Sequence, residues 1–463
     1  MNDLGLQRRH FLAAAVAAGL AGKAATAMAE RGNPRMTYEG RSIDEMIADF
    51  MTEHAIPGMS LAIVQAPYIT RVTGYGVADV DKRLLVATHT LFDLGQMVEA
   101  YSNVAIMQLV ETGKLGLGDQ IGARLPDLPA AWRAIMVRQL LTRASGIVDY
   151  TRHPSFDPSS KNHLGHAIEL VGDRPLAFKP GTDVATGATD HSLLVRLVEA
   201  ASGQRYDDFI RINQFERLGL HHTMFAAEAA KLRSEAVENN GNRHQAFLAD
   251  STLINPTERA TGYRSDNSVA TAGGSALLAS AMDVSVWDIG LAGGILVKDA
   301  ALRAMLYSPT TLDNARTVPL TGGWRFPGRK GLMYIVGQAN GQSAFLSRFT
   351  APSELVCVTL LANKEGIDLT QLARRIAGAY DTKLGPPAVD CVGIQQSPYS
   401  VAETLKRFDA IAKAVGVDPT RTGATVKAWE QDGQVWICFG GGSSAAASQK
   451  AILNKVLLGA VSH

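Results

Sequence analysis

The stretch VEAYSNVAIMQLVE, Val98 to Glu111, constrains the fold more than any other part of the chain. It has helical spacing but is apolar almost all round, so burying one face would not suffice. Such a helix must run through the interior of a core large enough to enclose it. With 463 residues, 46% of them hydrophobic, the chain can build that core and exceeds the size of a usual single-core unit. One large domain with a smaller appendage is expected. Around the central helix, Ile43, Met46, Ile47 and Phe50 mark a helix, and GMSLAIVQA and TRVTGYGVAD read as strands. PAAWRAIMVRQLLTRASGI predicts a helix ending at Gly146, and His191 to Ala201 predicts another that stops at Gly203. Further helices are predicted over 276–291 and 369–380, with VCVTLLAN between them as a buried strand. Strands, many helices, strands, then a helix describe an α+β chain. The sheet is antiparallel with a helical insertion, not a series of alternating βαβ units.

The ends differ in character. LQRRHFLAAAVAAGLAGKAATAMAERG pairs Arg8 and Arg9 with a weakly apolar run ending in Ala27-Met28-Ala29. Gly19, Gly22 and Lys23 interrupt a run too short to span a bilayer, so residues 1–29 read as a twin-arginine export signal. Periplasmic or secreted localisation is expected, without a stable membrane anchor after cleavage. Residues 381–390, with Pro386-Pro387, read as a linker. Beyond it Val401, Leu405, Phe408, Ile411 and Val415 mark an amphipathic helix, TVKAWEQ and QVWICFG a hairpin around Gly433, and 449–458 a last helix. Residues 391–463 are thus expected to form a small βαββα unit. Cys357 lies in a strand and reads as a core residue, whereas an oxidising compartment would permit Cys391 and Cys438 to pair. With 45 basic against 44 acidic side chains, nucleic acid is not an expected partner.

IPGMSLAIV, GYGVAD, TLFDLG, QLVETGKLGLGDQI, VRQLLTRASGI, PGTDVATGATDHSLL, YDDFIRINQFERLGLHHTMF, AGGSALLASAMDVSVW and VTLLANKEG occur in this order. Together they resemble the serine β-lactamase and penicillin-binding-protein superfamily, nearest its class C and esterase-like branch, over roughly residues 40–380. The resemblance implies a β-lactamase-like antiparallel sheet flanked by helices, an all-helical subdomain over roughly 100–270, and a cleft between them. A small C-terminal α+β unit follows, and it resembles, more faintly, a bacterial domain family of unassigned role. Chemistry in the superfamily needs a serine at the head of the core helix and a lysine three positions later, on the same helix face. Phe92 and Gly95 match the pattern, but the serine position holds Gln96 and the lysine position Glu99. The Tyr-x-Asn motif aligns through Pro180-Gly181-Thr182 and places Thr186 and Ala188 at its two functional positions. The third motif, Lys-Thr-Gly or His-x-Gly on an edge strand, aligns with Gln338 and Asn340 in VGQANGQSAFLSRF. The family's THTSG is TRASG here, with Arg143 and Ala144 in place of His and Thr.

A carboxamide is no nucleophile at neutral pH, and a glutamate puts negative charge where the family keeps an amine. Gly58, Gly76, Phe92, Asp119, Gly146, Pro180 and Gly219 nevertheless keep the family's residues. The resemblance therefore implies an exported β-lactamase-related fold without its acylation machinery. Such a protein would hold a cell-wall peptide, a small acyl ligand or a protein partner, the last through the C-terminal unit. Removing the nucleophile of a well-studied serine protease costs about 10⁶ in turnover, and losing its partners adds little because they act together. Backbone N–H groups of an oxyanion hole do not depend on side-chain identity and are expected to persist. The alternative is a hydrolase of esterase, β-lactamase or peptidase type with a rewired site. Thr186 would be its nucleophile, with Glu99 or Asp190 as base. Ser102 is expected to be a packed hydroxyl, Ser145 a turn residue, and His221-His222 solvated. His153, His163 and His166, with Asp149 and Asp157, lie in a segment read as a loop and match no strong metal-ligand spacing. No metal or cofactor is expected.

Overall fold

The computed structural model describes residues 36–66, 68–81, 83–157, 163–229, 276–329, 331–351, 354–386, 393–414, 425–431 and 433–440. The export signal, Cys391 and the last predicted helix lie outside the described residues. Eight strands make the main sheet: β1 (Gly58–Gln65), β2 (Tyr68–Asp79), β3 (Leu84–Leu85), β4 (Leu320–Thr321), β5 (Trp324–Arg325), β6 (Leu332–Ala339), β7 (Gln342–Phe349) and β8 (Val356–Ala362). Every pairing is antiparallel, in the order β4–β5–β6–β7–β8–β1–β2–β3. The helical insertion enters between β3 and β4, as the element order in the sequence predicts. β8 is buried along its whole length and β1 in all but its last residue, because helices cover both faces.

One face of the sheet carries α1 (Ile43–Glu53), which Ser42 and Glu45 start with a reciprocal capping box. The other receives α2 (Val98–Glu111), α3 (Ala188–Ser202) and α4 (Ala281–Ala292). α2 is buried along most of its length and Tyr101 stacks on Trp287 of α4, so the central helix runs through the core as its composition requires. α5 (Thr370–Tyr380) lies beside α1, and its Leu372 and Ile376 belong to the same buried cluster as Ile43 of α1 and Phe345 and Val358 of the sheet.

Local signals misplace several boundaries. The helix predicted over 276–291 is a strand, Leu277–Ala279, followed by α4; the strand pairs with Phe92–Asp93 and Thr223–Phe225. Three consecutive apolar residues fit either period, and Ser280, which caps α4 through the Asp283 N–H, marks the true start. The helix predicted to end at Gly146 is two short ones, Ala130–Arg133 and Val137–Leu141. Between them the Ile121 N–H reaches Ile135 and the Val137 N–H reaches Asp119, which interrupts the helical ladder. His163 to Val171 is helical rather than loop. The expected linker is not free chain over its described part: residues 382–384 form a 3₁₀ turn, Leu384 is buried, and Tyr38 donates to the Pro386 carbonyl at 2.5 Å.

In the C-terminal unit, α6 (Val401–Ala414) and the hairpin of β10 (Thr425–Gln431) and β11 (Gln434–Gly440) fall on the segments read as a helix and a hairpin, and β9 (Gly393–Ser397) precedes them. β11 sits centrally, antiparallel to both neighbours. Cys438 is disulfide-bonded and Cys357 is a buried free thiol. Arg374 of α5 ties the unit to the main body, donating to Gln396 Oε1 at 2.8 Å. Among the described residues no helix is long and apolar enough to cross a membrane.

The turn before α2 lies directly on β6. A Cβ on Gly337 would sit 1.8 Å from the Leu94 carbonyl oxygen and 2.8 Å from the Met97 nitrogen. Gly337→Ala is expected to destabilise the protein by about 3 kcal/mol or more in urea unfolding. Gly118→Ala, where nothing stands within 4 Å, should change stability by less than about 0.5 kcal/mol.

Candidate active-site cleft

The head of α2 is a 3₁₀ turn, Gly95–Met97, pressed against the end of β6. Gly95 has φ +50°, and a Cβ there would meet the Gln338 backbone at 2.6 Å, so the position needs glycine. The Asp93 carboxylate steadies the turn, accepting from the Gly95 N–H at 3.0 Å and from Asn340 Nδ2 at 2.7 Å. Gln96 is exposed at the apex, and its Oε1 accepts a 2.7 Å hydrogen bond from the backbone N–H of Gln338. A strand amide facing the head of the helix is a donor for a substrate carbonyl in acyl-transfer chemistry. Here the protein's own carboxamide fills it.

Glu99, one turn on, is ion-paired with Arg143 at side-chain exposures of 17% and 8%. The Arg143 backbone is left-handed (φ +61°), a conformation that costs a non-glycine residue roughly 1–2 kcal/mol. Its neighbours sustain it: Nη1 donates to the Gly187 carbonyl at 2.5 Å and its own carbonyl accepts from the Ala185 N–H at 3.0 Å. Burial opposes the charge on Arg143. Glu99 outweighs that by charge and hydrogen bond, with Asp190 and Asp149 adding to it, and holds the guanidinium above its ordinary pKa. A second guanidinium, Arg325 of β5, lies within electrostatic reach of Glu99 and bonds to Tyr334; burial lowers its pKa.

Thr186 is exposed in the segment leading into α3, and Ala188 is the first residue of that helix, its N–H donating to Asp149 Oδ1 at 3.2 Å. Neither base considered for Thr186 is free. Glu99 is paired with Arg143, and Asp190 accepts from Ser145 Oγ at 2.6 Å. Burial pushes the Asp190 carboxyl up to about 7, against lowering by Arg143 and Ser145. Ser145 is therefore more than a turn residue, yet at 2% exposure its hydroxyl is out of reach of any substrate. Ser102 is packed, as its spacing predicts, against His191 Nε2 (2.9 Å) and Tyr206 Oη (2.6 Å).

The third-motif positions need correction. Strand alternation puts Leu332, Tyr334, Val336 and Gln338 on the α1/α5 face, and Met333, Ile335, Gly337 and Ala339 on the α2 face. Gln338 thus gives the cleft its backbone N–H and not its side chain. Asn340 is a hairpin residue: Asn340-Gly341 has φ +50° and +79°, the two-residue turn that Asn-Gly favours. The α2 face of β6 holds no lysine or histidine at any of its four positions. His222 is half-buried beside His89, at 5.6 Å between ring centroids, with burial lowering its pKa, so it is not solvated as expected; His221 is exposed. His166 accepts from the Asp157 N–H and packs edge-on to Tyr150. Among the described residues no cluster of three or more His, Cys, Asp or Glu could hold a metal ion.

The Glu99–Arg143 pairing is the feature that reading the motifs one at a time missed. The signal was present: an anion stands where a cation is expected in one motif, and a fixed cation stands for a histidine in another. Arg325 gave no such signal, because it belongs to no motif.

Comparison with known proteins agrees with this fold. A model of the Beta-lactamase family matches residues 43–381. Protein flp of Staphylococcus aureus is 26% identical over 208 residues, covering 44% of this chain and 42% of that protein. Penicillin-binding protein 4 of Amycolatopsis lactamdurans is 28% identical over 200 residues, 42% of this chain and 51% of that protein. The chain thus spans about half or less of the length of these relatives. Among solved structures, the octameric penicillin-binding protein homologue from Pyrococcus abyssi superposes with TM-score 0.57 at 21% identity, covering 72% of this chain and 75% of that one. A class C beta-lactamase gives TM-score 0.56 at 17% identity, covering 72% and 94%. FmtA from Staphylococcus aureus gives 0.57 at 18%, covering 78% and 95%.

Two outcomes test the cleft's electrostatics. Glu99→Gln strands a buried guanidinium and should cost about 3–5 kcal/mol in chemical denaturation, most of it recovered by Glu99→Gln with Arg143→Gln. Folding raises the Asp190 pKa from 3.8 to about 7, so the folded state favours its protonated form. Its contribution therefore turns against folding as pH climbs through that interval. Asp190→Asn should gain at least about 1 kcal/mol more, relative to the parent, at pH 8 than at pH 4.

Proposed function

Since the chain belongs to the beta-lactamase family, we propose that it is an exported member that holds a ligand in its cleft without acyl transfer. The carrying observation is the chemistry at the head of α2. Position 96 presents a carboxamide bonded to the Gln338 amide, and position 99 a carboxylate neutralised by Arg143. Acyl transfer on this scaffold needs an attacking oxygen, an amine or imidazole to take its proton, and a vacant donor for the developing oxyanion. The side chains at 96 and 99 supply neither of the first two, and Gln96 competes for the third. Folding positions that match the family, beside catalytic positions that do not, fit a scaffold kept for binding.

The ligand class is a cell-wall peptide or a small acyl compound, whose carbonyl would displace the Gln96 carboxamide from the Gln338 N–H. That exchange swaps one neutral hydrogen bond for another, so binding rather than turnover is its natural outcome. Twin arginines at Arg8 and Arg9 support export to the periplasm. A protein partner engaging through the C-terminal unit is compatible with the same reading.

Incubation with a fluorescent penicillin, followed by intact-protein mass spectrometry, is expected to show no covalent adduct. Nitrocefin and p-nitrophenyl esters should turn over no faster than with a Gln96→Ala, Thr186→Ala control. A stoichiometric adduct on any cleft residue would establish the rewired hydrolase instead. Gln96→Ser with Glu99→Lys is expected to stay inactive, for a physical reason: the introduced amine would face the Arg143 guanidinium and set two cations side by side where one ion pair stood.

A further inference from the structure

The head of α2 presents two groups of opposite hydrogen-bonding character. The backbone N–H of Gln338 is a donor on the strand side, and the Glu99 carboxylate is an acceptor one turn along the helix from Gln96. Helix residues three apart share a face, with Cβ atoms about 5–6 Å from each other. A group seated where the Gln96 carboxamide now sits therefore has the donor on one side and the acceptor within reach on the other.

Both groups can be reached. Gln96 is exposed and its 2.7 Å bond to the Gln338 N–H lies at the protein surface. An exposed side chain changes rotamer within nanoseconds, so the carboxamide can swing out. The Gly95 and Gly337 contacts keep the strand N–H in place when it does. The Glu99 side chain is 17% exposed. An ionised carboxylate has about four acceptor sites, and pairing with Arg143 does not exhaust them.

Little here would welcome an anion. Arg143 is committed to Glu99 and to the Gly187 carbonyl. Arg325 bonds to Tyr334, which faces α5 across the sheet. Met333, Ile335, Gly337 and Ala339, the β6 residues on the α2 face, carry no charge. A donor beside a carboxylate reads a ligand that offers one acceptor and one N–H. A carboxamide has that pattern, and the chain itself places a carboxamide there. A carboxylate has acceptors alone and would set its second oxygen against Glu99. An ester fills the donor but has no N–H for the acceptor.

We propose that the cleft selects a peptide ending in a primary carboxamide, its oxygen on the Gln338 N–H and its NH₂ on Glu99, with Gln96 as the built-in stand-in that the ligand displaces. This rests on the ligand-holding function proposed for the cleft and narrows the ligand from any carbonyl compound to one uncharged end group.

The purified protein should be titrated by calorimetry, at neutral pH and fixed ionic strength, with N-acetyl-D-alanyl-D-alaninamide, the matching free acid and the matching methyl ester. Mass spectrometry of the recovered ligand accompanies each titration. The amide is expected to bind saturably, and the acid and the ester each at least about tenfold more weakly. Gln96→Ala removes the internal competitor and should tighten amide binding about fivefold. Glu99→Gln with Arg143→Gln replaces the ion pair by neutral amides and should bring amide and acid within about threefold of each other. If that double variant does not fold, Gln96→Ala and the three probes on the parent carry the test. An amide bound no better than the acid or the ester, or an affinity unmoved by Gln96→Ala, would overturn this assignment and leave the ligand-holding function standing. Conversion of the amide to the acid would overturn that function, and absence of saturable binding by all three probes would sink both.

Discussion

The architecture rests on a backbone-to-backbone approach: the turn Leu94–Met97 lies flat against the end of β6, with glycine on each side of the contact. Gly95 leaves room for the Gln338 backbone and Gly337 leaves room for the Leu94 carbonyl. The tightest approaches are backbone to backbone, so their geometry is set by atoms every residue carries, while the Gln96 and Asp93 side chains add hydrogen bonds across the contact. That explains how the head of α2 keeps its place relative to the strand whatever side chains surround it. The framework of a catalytic cleft is carried by backbone and its chemistry by side chains, so the two can diverge.

The charges at the head of α2 are electrostatically coherent. A glutamate this little exposed would ordinarily be a charge in need of a counter-ion. Arg143, in a left-handed conformation held by the chain leading into α3, supplies it from the neighbouring motif. The pair ties the start of the core helix to the segment that carries Thr186 and Gly187. Asp190 lies behind Arg143 with a pKa shifted to about 7, so this region changes its protonation near neutral pH. Both features belong to a structural network rather than a proton relay, because the Ser145 hydroxyl beside Asp190 is sealed from solvent.

Much of this was legible in the sequence, and the exceptions share a physical cause. α2 was readable because its composition admits one solution, complete burial, and the C-terminal hairpin because Gly433 sits between two alternating runs. The strand at Leu277–Ala279 was not, because three apolar residues fit both periods and only pairing with distant strands decides. The break before Val137 is made by backbone bonds to Asp119 and Ile121, which no local propensity encodes. In the cleft, motif spacing located Gln96 and Glu99 but could not say which way residues of β6 face; strand alternation moved Gln338 from side-chain donor to backbone donor and made Asn340 a turn residue.

Arg374 has a consequence for how the two parts of the chain move. It reaches from α5 to the Leu384 and Gly385 carbonyls and on to Gln396 of β9, with Trp436 stacked beyond it, so one residue of the main body clamps both the connecting segment and the appendage. The C-terminal unit is therefore not a bead on a string. Its position and facing are registered to the sheet, and anything gripping its outer surface would transmit torque straight into α5.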